Sequence, residues 1–427
     1  MKYFFVLGNN PMLSIAELSS IFNLDEKKDE LPNGDLVANN IFVLETDKKI
    51  DAAELIKEIG GTIKIGIINY ELIIKNKEGL INKILGLAGK KNIAGKFNFG
   101  ISYYGEKKLN IKPLAMEIKK ILRGKNISSR WVTSREAVLS SVVVEQNKLI
   151  GEKGIEIILI ENPPNPLYQG GILIGLTLAV QPFKELAFRD YGRPGRDDYS
   201  GMLPPKLAQI MINLALPHPS ISPLLIRRGD GDEVKILDPF CGSGTILTEA
   251  MLMGFKNVIG ADISKKAVED TKKNIEWTKN NFQLSIFNYQ LFNKSVLELS
   301  KFIKPNSIDA IVTEPYLGPQ RGKIDFSKVK KELEDLYSKS LAEFKKVLKP
   351  NGRIVMVWPI FHGTRNMKHI TLDFNLSDFK IINPIPENLR KNKFIELTNR
   401  NTIIYGREGQ KIWREIIILK KQCRFNI

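Results

Sequence analysis

At 427 residues the chain has room for two or three domains, each able to bury a core of its own. With 43% hydrophobic and 26% charged residues, wholesale disorder and fibrous architectures are excluded, while two cysteines and three histidines exclude a disulfide framework and argue against any metal centre. Sixty-four Lys and Arg against 47 Asp and Glu leave a net charge of +17, which points toward a polyanionic partner.

The scarcity of cysteines leads to the expectation of a reducing, cytoplasmic setting, and the opening residues 1–8 lack the apolar stretch and cleavage site of a signal peptide and read as a first strand. The uncharged stretches 162–183 and 207–226 are broken by prolines, and no membrane span is expected. Residues 3–7, 41–45, 63–70, 155–160 and 172–180 read as strands, and 14–22 and 52–59 as amphipathic helices, an α+β pattern. The charge is not spread evenly. Residues 1–95 carry −1, 96–135 carry +8, 136–180 carry −3 and 181–427 carry +13. Within the basic segment, 110–123 has helical spacing, with Leu114, Ile118, Ile121 and Leu122 on one face. Its basic end, with Lys119, Arg123 and Lys125, is the candidate polyanion-binding surface.

Residues 180–200 read as a connector, where Arg189, Arg193 and Arg196 are balanced by Asp190, Asp197 and Asp198, so that a salt-bridged segment and a polyanion contact both stand as readings. Ser200 is placed to cap a helix carrying Leu207, Ile210, Met211 and Leu214 that stops before Pro217. From Val234 to about Pro359, strand and helix patterns alternate as in a doubly wound parallel sheet. Residues 402–405 and 413–419, joined by a glycine-rich turn, read as a terminal antiparallel hairpin.

The chemistry gathers in that second part. A buried strand ends in Asp238-Pro239-Phe240-Cys241-Gly242-Ser243-Gly244, after which a helix begins; the glycines allow close backbone approach to a ligand. The next strand delivers Asp262, eighteen residues after Gly244, where a carboxylate can take both hydroxyls of a ribose. The third glycine of a dinucleotide fingerprint is replaced by Leu247 and no phosphate loop occurs, so the pattern fits S-adenosylmethionine: Asp262 and Ile263 at the nucleoside, Phe240, Gly242 and Gly244 along the turn, and Asp238 near the ammonium. A fourth strand, 307–313, ends in Glu314-Pro315-Tyr316-Leu317. An exocyclic base amine is a poor nucleophile because its lone pair is delocalised. Glu314 and a backbone carbonyl at Pro315 would localise that pair, and Tyr316 would stack on the base. Cys241 reads as a small loop residue and His218 as structural.

These residues resemble the THUMP-containing tRNA guanosine N2-methyltransferases that act on position 10 of tRNA. The likeness is carried by 4–8 with 13–18, by Phe188-Arg189-Asp190-Tyr191-Gly192-Arg193-Pro194 with 201–208, by 238–245 and by Tyr405-Gly406-Arg407-Glu408-Gly409-Gln410. It implies an α/β chain with a ferredoxin-like unit over 1–75, a THUMP RNA-binding domain over 76–180, a connector over 181–200 and a Rossmann-like methyltransferase domain over 201–427. It implies S-adenosylmethionine as cofactor and tRNA as partner, with a monomer as the default state and a small activator subunit left open. The family's D-P-P-Y stands here as Glu314-Pro315-Tyr316-Leu317 when aligned without a gap; a shifted alignment puts Thr313 at the acidic position. The third-strand acid that touches adenine is missing around Asn293, Lys294 and Ser295. A DNA base amine or a protein glutamine as substrate, and an RNA-binding protein with impaired catalysis, are the competing readings.

Overall fold

The computed structural model describes the chain except residues 25–32, 39, 73–76, 90–95, 107–108, 163–170, 198–201, 217–233, 285–287, 320–324, 363–368, 375, 377, 407–408 and 423–427. Asp198, Ser200, His218, Arg407, Glu408 and Cys423 of the sequence reading lie outside the described residues. Two compact units result: Met1–Ile15, Glu26–Lys184 and Asn392–Phe394 form one, and Ala16–Asp25, Glu185–Lys391 and Ile395–Ile427 the other.

The first unit is built on eight strands, β1 (Lys2–Leu7), β2 (Asn33–Ala38), β3 (Ile41–Glu45), β4 (Thr62–Leu72), β5 (Phe97–Tyr104), β6 (Ser129–Val132), β7 (Gly154–Asn162) and β8 (Gly171–Val180), in the order β2-β3-β1-β4-β8-β7-β5-β6. Strands from 1–75 and from 76–180 therefore lie in one sheet, joined by the antiparallel pair β4 and β8. β5 runs parallel to both β6 and β7. The helices numbered in chain order are α1 (Pro11–Phe22), α2 (Ala52–Glu58), α3 (Lys77–Gly89), α4 (Ile111–Gly124) and α5 (Ser141–Gln146). Asn110 caps α4 by accepting from the Lys112 amide at 3.2 Å. Leu114, Ile118 and Leu122 then fall one turn apart and pack with Phe97, Phe99, Ile155 and Ile157. Burying that stripe turns Lys119, Lys120, Arg123 and Lys125 out to solvent.

The second unit is a mixed sheet of nine strands: β9 (Lys235–Asp238), β10 (Asn257–Asp262), β11 (Asn288–Asn293), β12 (Ile308–Thr313), β13 (Leu348–His362), β14 (His369–Ile370), β15 (Phe379–Ile381), β16 (Ile403–Tyr405) and β17 (Ile412–Lys421). Its main path runs β11-β10-β9-β12-β13-β17-β15, with β14 on β13 and β16 on β17. The five strands from β11 to β13 are parallel, and β17 is antiparallel to both β13 and β16, giving the doubly wound sheet with a terminal hairpin. The order in which strands are added to the sheet reverses between β9 and β12, so a crevice opens at their carboxyl ends. The helices continue as α6 (Phe183–Tyr191), α7 (Pro205–Ala215), α8 (Thr245–Leu252), α9 (Lys265–Phe282) and α10 (Phe326–Val347).

Two local readings change. The stretch read as a connector contains helix α6, and the cap of α7 is Pro204, not Ser200. Pro205 occupies the first helical position, where its missing N–H has no intrahelical partner to lose.

Candidate active site

The turn after β9 is shaped by its two glycines. Gly242 (φ 51°) and Gly244 (φ 82°) both occupy the left-handed region. A Cβ at Gly244 would stand 2.8 Å from Thr271 Cγ2, whereas one at Gly242 would point into open space. Gly244 therefore serves the packing of α8 against α9, and Gly242 keeps a face of the turn clear for a ligand. Thr271 donates to the Gly242 carbonyl at 2.7 Å and fixes that face.

Asp262 sits at the carboxyl end of β10 and accepts from the Gly242 amide (3.0 Å) and the Ser264 amide (2.8 Å), one through each oxygen. Each oxygen keeps a lone pair for a further donor. Ile263, the next residue, is 77% exposed, an apolar side chain held open beside a carboxylate. Asn293, at the end of β11, donates to the carbonyls of Asp262 and Ile263 at 3.0 and 2.9 Å. The neutral amide at the place of the missing acid thus braces the strand end.

Asp238 is buried at the end of β9. Its Oδ1 accepts from the Thr313 hydroxyl at 2.7 Å and the Phe240 amide at 3.2 Å. Burial pushes its carboxyl up to about 7; the two hydrogen bonds oppose the rise, and the neighbouring negative charges of Asp262 and Glu314 add to it. Cys241, also buried, has its thiol pushed far up by burial and by Asp238, which leaves it no thiolate to act with.

On the other side of the crevice, the loop after β12 places Glu314 half-buried, Pro315 buried and Tyr316 58% exposed. Thr313, the alternative acidic position, is buried and turned to Asp238. Tyr337 on α10 donates to the Tyr316 carbonyl at 2.9 Å. Glu314 Oε1 accepts from Arg414 Nε on β17 at 2.5 Å.

The arginines of 189–196 are built into the second unit. Arg189 makes two bonds to Glu249 on α8, at 2.8 and 3.1 Å, so its charge is matched inside the fold and not by the neighbouring aspartates. Arg193 is 5% exposed and donates through one nitrogen to the Thr245 hydroxyl in the first turn of α8. Its other two guanidinium nitrogens are buried with no hydrogen-bond partner. Asn274 exchanges two hydrogen bonds with Gly195 and a third with the Ser243 carbonyl, tying this segment to the turn.

The sequence reading missed Arg414, Tyr337 and the inward use of Arg193. A charged pair, Arg414-Glu415, inside the apolar run 412–419 was the available signal.

In the first unit, Lys119, Arg123 and Lys125 are exposed along the carboxyl end of α4. They do not line the groove of about 570 Å³ that opens at the other end of that helix, with Tyr103, Lys112, Trp131 and Arg135 among its walls. Among the described residues no group of His, Cys, Asp and Glu could hold a metal ion, and no helix is long and apolar enough to cross a membrane.

A doubly wound sheet with a glycine turn, a carboxylate at the end of the next strand and an acidic loop at the switch point is the arrangement of a Rossmann-like methyltransferase fold. Residues 196–384 match the family model described as the RMKL-like methyltransferase domain, and residues 46–273 match a DNA methylase model. The second match spans more than half of the chain, and the chain belongs to that methylase family. A tRNA (guanine(10)-N2)-dimethyltransferase of Methanocaldococcus jannaschii is 32% identical over 210 residues, 48% of this chain and 50% of that protein. One of the same name from Methanothermobacter thermautotrophicus is 35% identical over 161 residues, 38% of this chain and 40% of that protein. The matches thus span half, or less, of the length of these curated relatives. The crystal structure of TrmN from Thermus thermophilus shares the fold along 99% of this chain and 100% of its own, with a TM-score of 0.50 and 16% identity. Such domains use S-adenosylmethionine, and the residues at this edge fit it: a clear face at Gly242, free lone pairs on Asp262 and, beside a helix N-terminus, two Arg193 nitrogens that make no hydrogen bond, one of them 4.0 Å from the Asp190 carboxylate.

Proposed function

We propose that the protein transfers a methyl group from S-adenosylmethionine to the exocyclic N2 amine of a guanosine in tRNA, with position 10 as the default site. The observation that carries this reading is the placement of Glu314, Pro315 and Tyr316 at the end of β12, across the β9/β12 crevice from the glycine turn after β9 and the Asp262 end of β10. Asp262 would hold the ribose, Ile263 cover the base, and Phe240, Gly242 and Gly244 line the chain of the cofactor. Asp238 would meet the ammonium, and Arg193 with the first turn of α8 the carboxylate. The bound cofactor supplies an electrophilic methyl on a sulfonium.

The protein's part is to make the amine nucleophilic. Glu314 Oε2, which has no partner among the described residues, accepts one N–H, and the Pro315 carbonyl accepts the other. Both bonds draw the lone pair out of the ring and toward the methyl. The exposed ring of Tyr316 stacks on the guanine, and Tyr337 holds the loop that carries it. Glu314 then stabilises the cationic amine until its proton leaves to solvent.

The names of the relatives and the +8 segment at 96–135 favour RNA, which residues 76–180 would capture as a THUMP domain. The DNA methylase match favours the second reading, a DNA base amine. Incubation with labelled cofactor and unmodified tRNA, duplex DNA or total protein separates them. Label in tRNA alone is expected; label in DNA or protein but not tRNA rejects the proposal.

A further inference from the structure

Glu314 is one methylene longer than an aspartate and gains a torsion that must be fixed before its oxygen can be aimed. What fixes it comes from the far end of the chain. Arg414 is the third residue of β17, with Pro359 of β13 opposite on one side and Tyr405 of β16 on the other, so its backbone is held from both edges. Alternation along the strand sends Arg414 and Glu415 to opposite faces. Glu415 is spent on Arg400, at 2.7 and 3.3 Å, and on Thr402. Arg414 is left to reach past β13 to the end of β12 and meet Glu314.

The side chains of Arg414 and Glu314 are only 14% and 16% exposed, so this is not a solvated surface pair. Burial disfavours the guanidinium charge, and the attraction and hydrogen bond of Glu314, with a smaller contribution from Tyr405, outweigh it and hold the arginine above its usual range. The contact is one-sided: Nε engages Oε1, and Oε2 has no partner among the described residues.

We infer that Arg414 is a positioning residue for methyl transfer: it pins one oxygen of Glu314 so that the other meets the substrate amine. It touches neither amine nor cofactor. The pair also offsets the repulsion that Glu314 meets from Asp238 across the crevice. The inference rests on the reading of Glu314 as the amine acceptor.

The test is a double-mutant cycle on kcat for tRNA methylation, with KM and calorimetric cofactor affinity measured alongside. Arg414→Ala is expected to lower kcat about 100-fold, the cost of an acceptor misplaced by about an ångström, while cofactor affinity and KM stay within about twofold. Arg414→Lys should recover part of the loss. In a Glu314→Gln background, Arg414→Ala should cost less than about twofold more, because its effect passes through that carboxylate. Full kcat in Arg414→Ala, or losses that multiply in the double variant, overturns the inference. Where Arg414→Ala fails to fold because Glu314 is left buried and unpaired, Arg414→Gln alone and with Glu314→Gln carries the same cycle. Should Glu314→Gln keep wild-type kcat, the acceptor reading itself fails, whatever Arg414→Ala does.

Discussion

The Thr313 hydroxyl donates to Asp238 at 2.7 Å, joining the ends of β12 and β9 across the point where the sheet reverses. The bond couples the loop that carries Glu314 to the floor of the cofactor turn. It also stabilises the carboxylate form of Asp238 against a burial that pushes its carboxyl up to about 7. Because the folded value lies above the unfolded one, Asp238 favours folding at low pH and loses that contribution as pH rises toward 7. Binding has the opposite sign. An ammonium prefers the carboxylate, so cofactor affinity should fall below pH 7, approaching about tenfold per unit, and binding there should release a proton. Thr313→Val should move this limb upward. Calorimetry in buffers of different ionisation enthalpy checks both; an affinity flat from pH 5.5 to 7.5 removes Asp238 from the ammonium.

Gly242 and Gly244 should respond differently to the same substitution. Gly244→Ala meets Thr271 at 2.8 Å as well as an unfavourable φ, so melting should show a stability loss of about 1–3 kcal/mol. Gly242→Ala faces open space and should cost about 1 kcal/mol, yet its methyl enters the cofactor face and should weaken binding more than Gly244→Ala does.

Asp262→Asn keeps the shape of the side chain but loses the acceptor charge. Cofactor affinity should drop about 10- to 100-fold, the worth of hydrogen bonds to a charged group, with tRNA affinity unchanged. Filter binding and calorimetry on one preparation give both numbers.

The basic face of α4 is separable from the groove at its other end. Replacing Lys119, Arg123 and Lys125 by alanine should weaken tRNA binding and flatten the salt dependence by about one unit of slope for each phosphate that is no longer neutralised. Lys112→Ala with Arg135→Ala tests the groove in the same assay. An unchanged slope in the α4 variant moves the RNA-binding surface off that helix.

The cofactor turn was legible because its determinants are local. An apolar strand, a glycine-broken loop and a carboxylate one strand later need no knowledge of sheet order. Strands β1, β3 and β4 were legible for the same reason. β5, Phe97–Tyr104, was not, although Phe97, Phe99, Ile101 and Tyr103 alternate with Asn98, Gly100 and Ser102, because that strand pattern lies inside the most basic segment of the chain and is masked by its charge. Arg414 was illegible on different grounds. It lies 100 residues from Glu314, and only the order β12-β13-β17 brings the two together. The inward use of Arg189 was hidden likewise, because Glu249 lies sixty residues away on α8 while Asp190 stands next to it in the chain.

The central claim is the chemistry of the loop at Glu314, and nucleoside analysis of methylated tRNA addresses it most directly. Unmodified tRNA is incubated with labelled S-adenosylmethionine and wild-type or Glu314→Gln protein, then digested to nucleosides and separated. The account predicts label in N2-methylated guanosine with the wild type and a rate lower by about 100-fold with Glu314→Gln. Label in any other nucleoside, or an unchanged rate in the variant, would contradict it.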